Sequence, residues 1–270
     1  RLDELRLQRS EVPTLTVAVD ASNWVFVEGS DRKDLYLRYC FEVEKERAKK
    51  LRSNLDELGM TRRGTVVSVP YIPNYDEEEY RGSPDWVRVD APRDQPIVVH
   101  ASALAQVHVR RMSAPLKISA YINVAGISEC TGPVDVSAGS IQYSGAGGRV
   151  TLTAHEYIAI RMTAVQFDGS LDARAGTGQV GMQVPLGFVT PFKAVVSRPE
   201  AFICRADICS GVTYEKQGPL HVYTYNGRGA EANASPAGRS LKDAGRTAPD
   251  RFQLRSEDSV ILIDNPSTRK

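Results

Sequence analysis

The chain has little histidine, cysteine, methionine or tryptophan: four, four, four and two residues among 270. Four cysteines are too few and too scattered for a disulfide scaffold, and the Cys204/Cys209 pair has no partner pair for a structural zinc, since Cys40 and Cys130 lie far apart in sequence. Charge of one sign is also missing. Thirty-four Lys and Arg face thirty-three Asp and Glu, a net of +1, so no global field draws the chain to nucleic acid or an anionic membrane. No apolar run approaches the ~20 residues that span a bilayer. The first residues, RLDELRLQRS, are charged and do not read as a signal peptide. The cysteines, Cys40, Cys130, Cys204 and Cys209, read as reduced thiols. For Cys204 and Cys209, five positions apart, a local bridge across a turn is the alternative.

Catalytic spacing is missing as well. There is no nucleophile elbow, no phosphate-binding loop and no compact acid/base pair. Gly176, Gly178 and Gly181 fit G-x-G-x-x-G, but SLDARA before them is no apolar strand and Pro185 and Gly187 follow, so the motif reads as a β-turn. His155-Glu156 lacks a second histidine at the fourth position. His100, His108 and His221 have no partner ligands fixed by spacing. The acidic run Asp76 to Glu79 lacks the spaced ligands of a calcium loop and reads as solvated. No catalytic, cofactor-binding or metal-ligating residue is assigned, and the chain reads as a non-enzyme. Arg62-Arg63 and Arg110-Arg111 read as solvated surface, with RNA or a neighbour's carboxylates as the other use.

What is present is short-strand periodicity. Leu35, Leu37, Tyr39, Phe41 and Val43 alternate with polar residues, as do Leu116, Ile118, Ala120, Ile122 and Val124. A period of two marks a half-buried strand. EYIAIRMTAVQF fits strand or helix, and its β-branched content favours strand. One segment differs: in residues 44–58, Ala48, Leu51, Leu55 and Leu58 recur at helical spacing before Gly59. Residues 226–250 have no hydrophobic period and read as a long loop. Many short strands with turn signals every ten or so residues predict an all-β sandwich, jelly roll or barrel. The texture changes after Pro133, which predicts a β domain over residues 1–137 and a second β-rich region or projecting domain over 138–270.

Between Val66 and Pro133, VSVPYIPNY precedes a tryptophan-bearing loop and VHVRRMSAPLKISAYINVAGISECTGP. This order of features resembles the C-terminal half of a picorna-like virus coat protein. Val69, Pro70 and Tyr71 match the family's first motif. Pro115, Leu116, Ile118, Ala120 and Tyr121 match its last core strand, and Gly132-Pro133 its exit. The resemblance implies a jelly-roll capsid subunit without catalytic residues that assembles into an icosahedral shell around RNA. Implied partners are copies of the chain, sister coat proteins, weakly held genomic RNA and a host receptor; the implied location is the virion, assembled in host cytoplasm.

Two other functions fit the same pattern. A β-sandwich binding module for carbohydrate or protein could use Tyr71, Tyr75, Tyr80 and Trp86 as a stacking platform. A β-sandwich hydrolase would draw on His100 and His155.

Overall fold

The structure, a computed structural model, describes residues 2–20, 24–40, 59–70, 86–102, 105–121, 124–227, 251–258 and 260–266. The chain divides into two compact units, Arg1–Gly139 and Ser140–Lys270.

The first unit is built from β1 (Leu2–Gln8), β2 (Leu15–Val19), β3 (Trp24–Ser30), β4 (Asp34–Cys40), β5 (Thr61–Arg63), β6 (Val66–Val69), β7 (Trp86–Pro92), β8 (Ile97–Ala101), β9 (Gln106–Arg110), β10 (Leu116–Ala120), β11 (Val124–Ser128) and the first residues of β12 (Val134–Gly145). One sheet runs β5-β6-β2-β8-β10-β12. The other runs β1-β4-β7-β3-β9-β11. Every neighbour from β6 to β12, and from β7 to β11, is parallel. Among the described residues, only the pairings of β5, β1 and β4 are antiparallel. The chain winds as rungs, each with one strand in each sheet: β2 to β3, β6 to β7, β8 to β9, β10 to β11. This is the winding of a β-solenoid, in which neighbouring rungs complete one another's core.

Register explains why the rungs stack. Val67, Val17, Val99, Ile118 and Val136 lie side by side across the first sheet, none more than 1% exposed. Leu37, Val89, Val27, Val109 and Ile127 line up likewise in the second, none more than 2% exposed. Full burial of such a side chain stabilises by roughly 1.5–3 kcal/mol. A one-residue slip would turn a whole row outward, so the alternation fixes the register. The rung order in space departs from the order in sequence. β2 and β3, early in the chain, lie between β6/β7 and β8/β9.

The second unit holds the rest of β12 together with β13 (Gly147–Met162), β14 (Asp168–Ala175), β15 (Val180–Gln183), β16 (Phe192–Val196), β17 (Phe202–Cys204), β18 (Val212–Gln217), β19 (Leu220–Tyr225), β20 (Phe252–Ser256) and β21 (Ile261–Asp264). The long β13 serves both sheets: its first half pairs with β14 and its second with β15. One sheet continues β14-β20-β16-β19-β18, antiparallel only at its last two pairings. The other continues β15-β21-β17, all parallel. Here the displaced rung is the last in sequence: β20/β21 lies between β14/β15 and β16/β17.

The all-β expectation holds, and the EYIAIRM segment is strand, within β13. The connectivity corrects the jelly-roll expectation. A jelly roll is made of antiparallel Greek keys, whereas these ladders are mainly parallel. The residues that carried the coat-protein resemblance lie in parallel rungs, Val69 in β6 and Leu116, Ile118 and Ala120 in β10. The helix expected over residues 44–58 lies outside the described residues, as does nearly all of the loop expected over 226–250. The expectation of reduced thiols fails at one pair: Cys204 and Cys209 are joined by a disulfide, with Cα atoms 5.7 Å apart. The 3-10 turn Asp207–Gly211 folds the chain back and makes that approach local. Cys40 and Cys130 are free thiols, and burial pushes that of Cys130 up to about 11.

Candidate binding face

In the second sheet of the first unit, alternation places aromatic and charged side chains on the side away from the core. On β3, Val25 and Val27 point in while Trp24 and Phe26 point out, each 38% exposed. Parallel pairing then sets Trp24 beside Trp86 and Phe26 beside His108. The Trp24, Phe26 and His108 ring centroids are 5.2 to 6.0 Å apart, with planes within 22° of parallel. The three separations are nearly equal, so the rings form a triangle and not one column. Burial pushes the His108 imidazole below its ordinary value, which favours the neutral ring.

Beyond Trp86 the face becomes cationic. The Arg6, Arg32 and Arg38 guanidinium groups lie 4.9, 5.2 and 5.2 Å from the Tyr36 ring centroid, and Arg38 also lies 5.9 Å from that of Trp86. Such contacts contribute ~0.5–1 kcal/mol each at exposed positions. Asp90, 9% exposed, accepts from Arg38 at 2.9 Å and from Arg88 at 3.0 Å. Arg32 grips Asp34 with two hydrogen bonds of 3.0 Å, which hold that carboxyl below its usual range. The Tyr36 hydroxyl donates to Glu4, which raises the phenol's pKa.

The residues singled out from sequence are distributed differently. Of the expected stacking platform, Trp86 is on this face, while Tyr71, Tyr75 and Tyr80 lie outside the described residues, as do Asp76 to Glu79. Three of the four arginines in the two pairs meet the chain's own acids: Arg62 pairs with Glu11 at 3.1 Å, Arg110 with Glu129 at 2.9 Å, and Arg111 with Glu28. His100 is on β8 and His155 on β13, in different units and outside any cluster of ligands. Among the described residues, no three His, Cys, Asp or Glu side chains stand together as metal ligands. Gly178 of the glycine motif is placed by a close backbone approach, since a Cβ there would lie 1.0 Å from the Glu156 carbonyl oxygen. Sequence reading missed Trp24, Phe26, Tyr36 and the arginines around them. The signal was there: in WVFV, aromatic and aliphatic residues alternate although all four are apolar.

Two other surfaces are less open. In the cleft lined by Arg9, Asp31, Arg93 and Asp94, the charges are paired, Arg9 with Asp94 at 2.8 Å and Arg93 with Asp31 at 3.4 Å. In the second unit, Tyr223 stacks on Phe202 at 4.1 Å and donates to the Pro199 carbonyl, while Tyr214 bonds His221 Nδ1 at 2.8 Å.

No family model and no curated protein matches the chain. Two solved structures resemble it at a distance. A "putative adhesin" from Bacteroides fragilis is 9% identical with a TM-score of 0.47, and a "putative cell adhesion protein" from Clostridium sporogenes is 8% identical with a TM-score of 0.35. Each match covers 98% of this chain and 97% of the other. Both are too distant to carry function, which has to be read from the chain's own surface.

Proposed function

We propose that this chain is a non-catalytic binding module that holds a protein partner on the outward face of β7, β3 and β9. The observation that carries it is the row of Trp86, Trp24, Phe26 and His108 beside Tyr36 and the arginines. Tryptophan, tyrosine and arginine are the residues enriched at interface hot spots. The described cations of this face are all arginine, and lysine is the cation depleted from interfaces. The surface is a sheet rather than a pocket, which suits a macromolecule better than a small ligand. The disulfide supports an oxidising location outside the cytoplasm. Capsid assembly finds no support in the parallel ladders.

The test is a parallel screen of displayed peptides and of a glycan array against the wild-type protein and a Trp24→Ala/Phe26→Ala double variant. Peptide binders that weaken at least about tenfold with the variant are the expected result. Glycan binding alone, or peptide binding indifferent to both residues, would overturn the reading.

A further inference from the structure

We infer that the guanidinium groups around Tyr36 receive a carboxylate of the partner, so that the docking segment is an acidic peptide with an apolar anchor. The inference rests on the proposed binding face and adds its charge specificity. Four arginines, Arg6, Arg32, Arg38 and Arg88, surround three carboxylates there. Each carboxylate is engaged. Asp34 is held by Arg32, Asp90 is shared by Arg38 and Arg88, and Glu4 accepts the Tyr36 hydroxyl. Arg6 makes the surplus: it lies against the Tyr36 ring and bonds that side chain, and it acts on Asp34 only through space, with no ion pair of its own among the described residues.

Two features make this surplus a recognition element rather than a solvated charge. First, the guanidinium groups are stacked on an aromatic ring, so their orientation is set before binding and less side-chain entropy is lost. An arginine held this way presents paired donors that match a carboxylate. Second, Tyr36 on β4 is two strands and four register positions from Trp24 on β3, since Tyr36 pairs with Asp90 and Trp24 with Trp86, about 16 Å at ordinary strand spacing and rise. An extended peptide running obliquely across the sheet spans most of that distance over four residues, at roughly 3.3 Å each, and residues four apart present their side chains to the same face. An acid over Arg6 and an apolar side chain against Trp24 can therefore be met together.

The test uses the full chain and short fluorescent peptides with phenylalanine and glutamate four positions apart, which puts both side chains on one face of an extended chain, with a phenylalanine–glutamine peptide and heparin as comparison arms. Arg6→Gln and Trp24→Ala are the variants, with thermal unfolding as the check on folding. The expected result is binding of the glutamate peptide that weakens with salt and about five- to tenfold with Arg6→Gln, while the glutamine peptide binds more weakly and ignores that change. Equal binding of both peptides, lost only with Trp24→Ala, overturns the inference and leaves the aromatic face standing. Absence of peptide binding overturns the inference. Heparin binding without peptide binding overturns it in favour of a sulfated glycan.

Discussion

A Cβ added to Gly126 would lie 2.9 Å from His108 Nδ1. The two residues are register partners on β11 and β9. The missing side chain gives the imidazole the space in which it meets Trp24 and Phe26. Gly126→Val should push the ring off this seat, cost about 1 kcal/mol of stability and change tryptophan emission. Emission and melting both unchanged would mean that the ring is seated by other contacts.

His108 also makes stability pH-dependent. Its folded pKa is depressed by burial, so the unfolded chain binds this proton more readily. The stabilisation is complete above the unfolded value of about 6.5 and is lost as pH falls through the lower folded value. The charged groups nearest along the paired strands are Glu28 and Arg110, engaged with Arg111 and Glu129. The melting temperature should fall from pH 7.5 to pH 5, with a smaller fall in His108→Gln. Identical slopes in the two proteins would remove His108 as the cause.

Gln95 is fully buried, and its amide donates to the carbonyls of Val12, Pro13 and Pro96 at 2.9, 3.3 and 3.3 Å. One side chain thus ties the approach to β2 to the crossing between β7 and β8. Gln95→Leu takes the donor from the Val12 and Pro13 carbonyls, while that of Pro96 keeps the Leu15 N–H at 3.0 Å, and should cost about 2 kcal/mol. Urea unfolding measures it, and a loss below a few tenths would show that water replaces the amide.

The Cys204–Cys209 bond closes a small loop. Chain-entropy arguments give such a loop about 2 kcal/mol. Cys204→Ser should lower stability by that amount, and added reductant should shift the wild type but not the variant. A reductant effect that persists in the variant would place it elsewhere.

The sequence showed which residues point inward far better than it showed how strands pair. Leu116, Ile118 and Ala120 alternate and are buried, and Tyr121 just beyond is 82% exposed. Alternation reports the covered face, and it is identical for parallel and antiparallel neighbours. Parallel sheets usually bury both faces and read as continuous apolar runs. Here the described strands alternate buried with less buried residues, so the ladders imitated an antiparallel sandwich. The binding face was illegible for a related reason. Trp86 is more than fifty residues from Trp24 in sequence, and only the register of β3 with β7 makes them neighbours. The Tyr36 cluster likewise draws on β1, β4 and β7, whose pairing no local pattern encodes.

The displaced rungs give the two units opposite histories during synthesis. In the first, β2 and β3 leave the ribosome early and are waiting when β6/β7 and β8/β9 arrive to flank them. That unit can grow outward from its own beginning. In the second, β14/β15 and β16/β17 emerge with a gap between them, and their facing edges stay unpaired until Asp264 has been made. Unpaired strand edges template aggregation. A ribosome that stalls after Tyr225 therefore releases a finished first unit carrying an open-edged second one, which quality control would recognise by those edges.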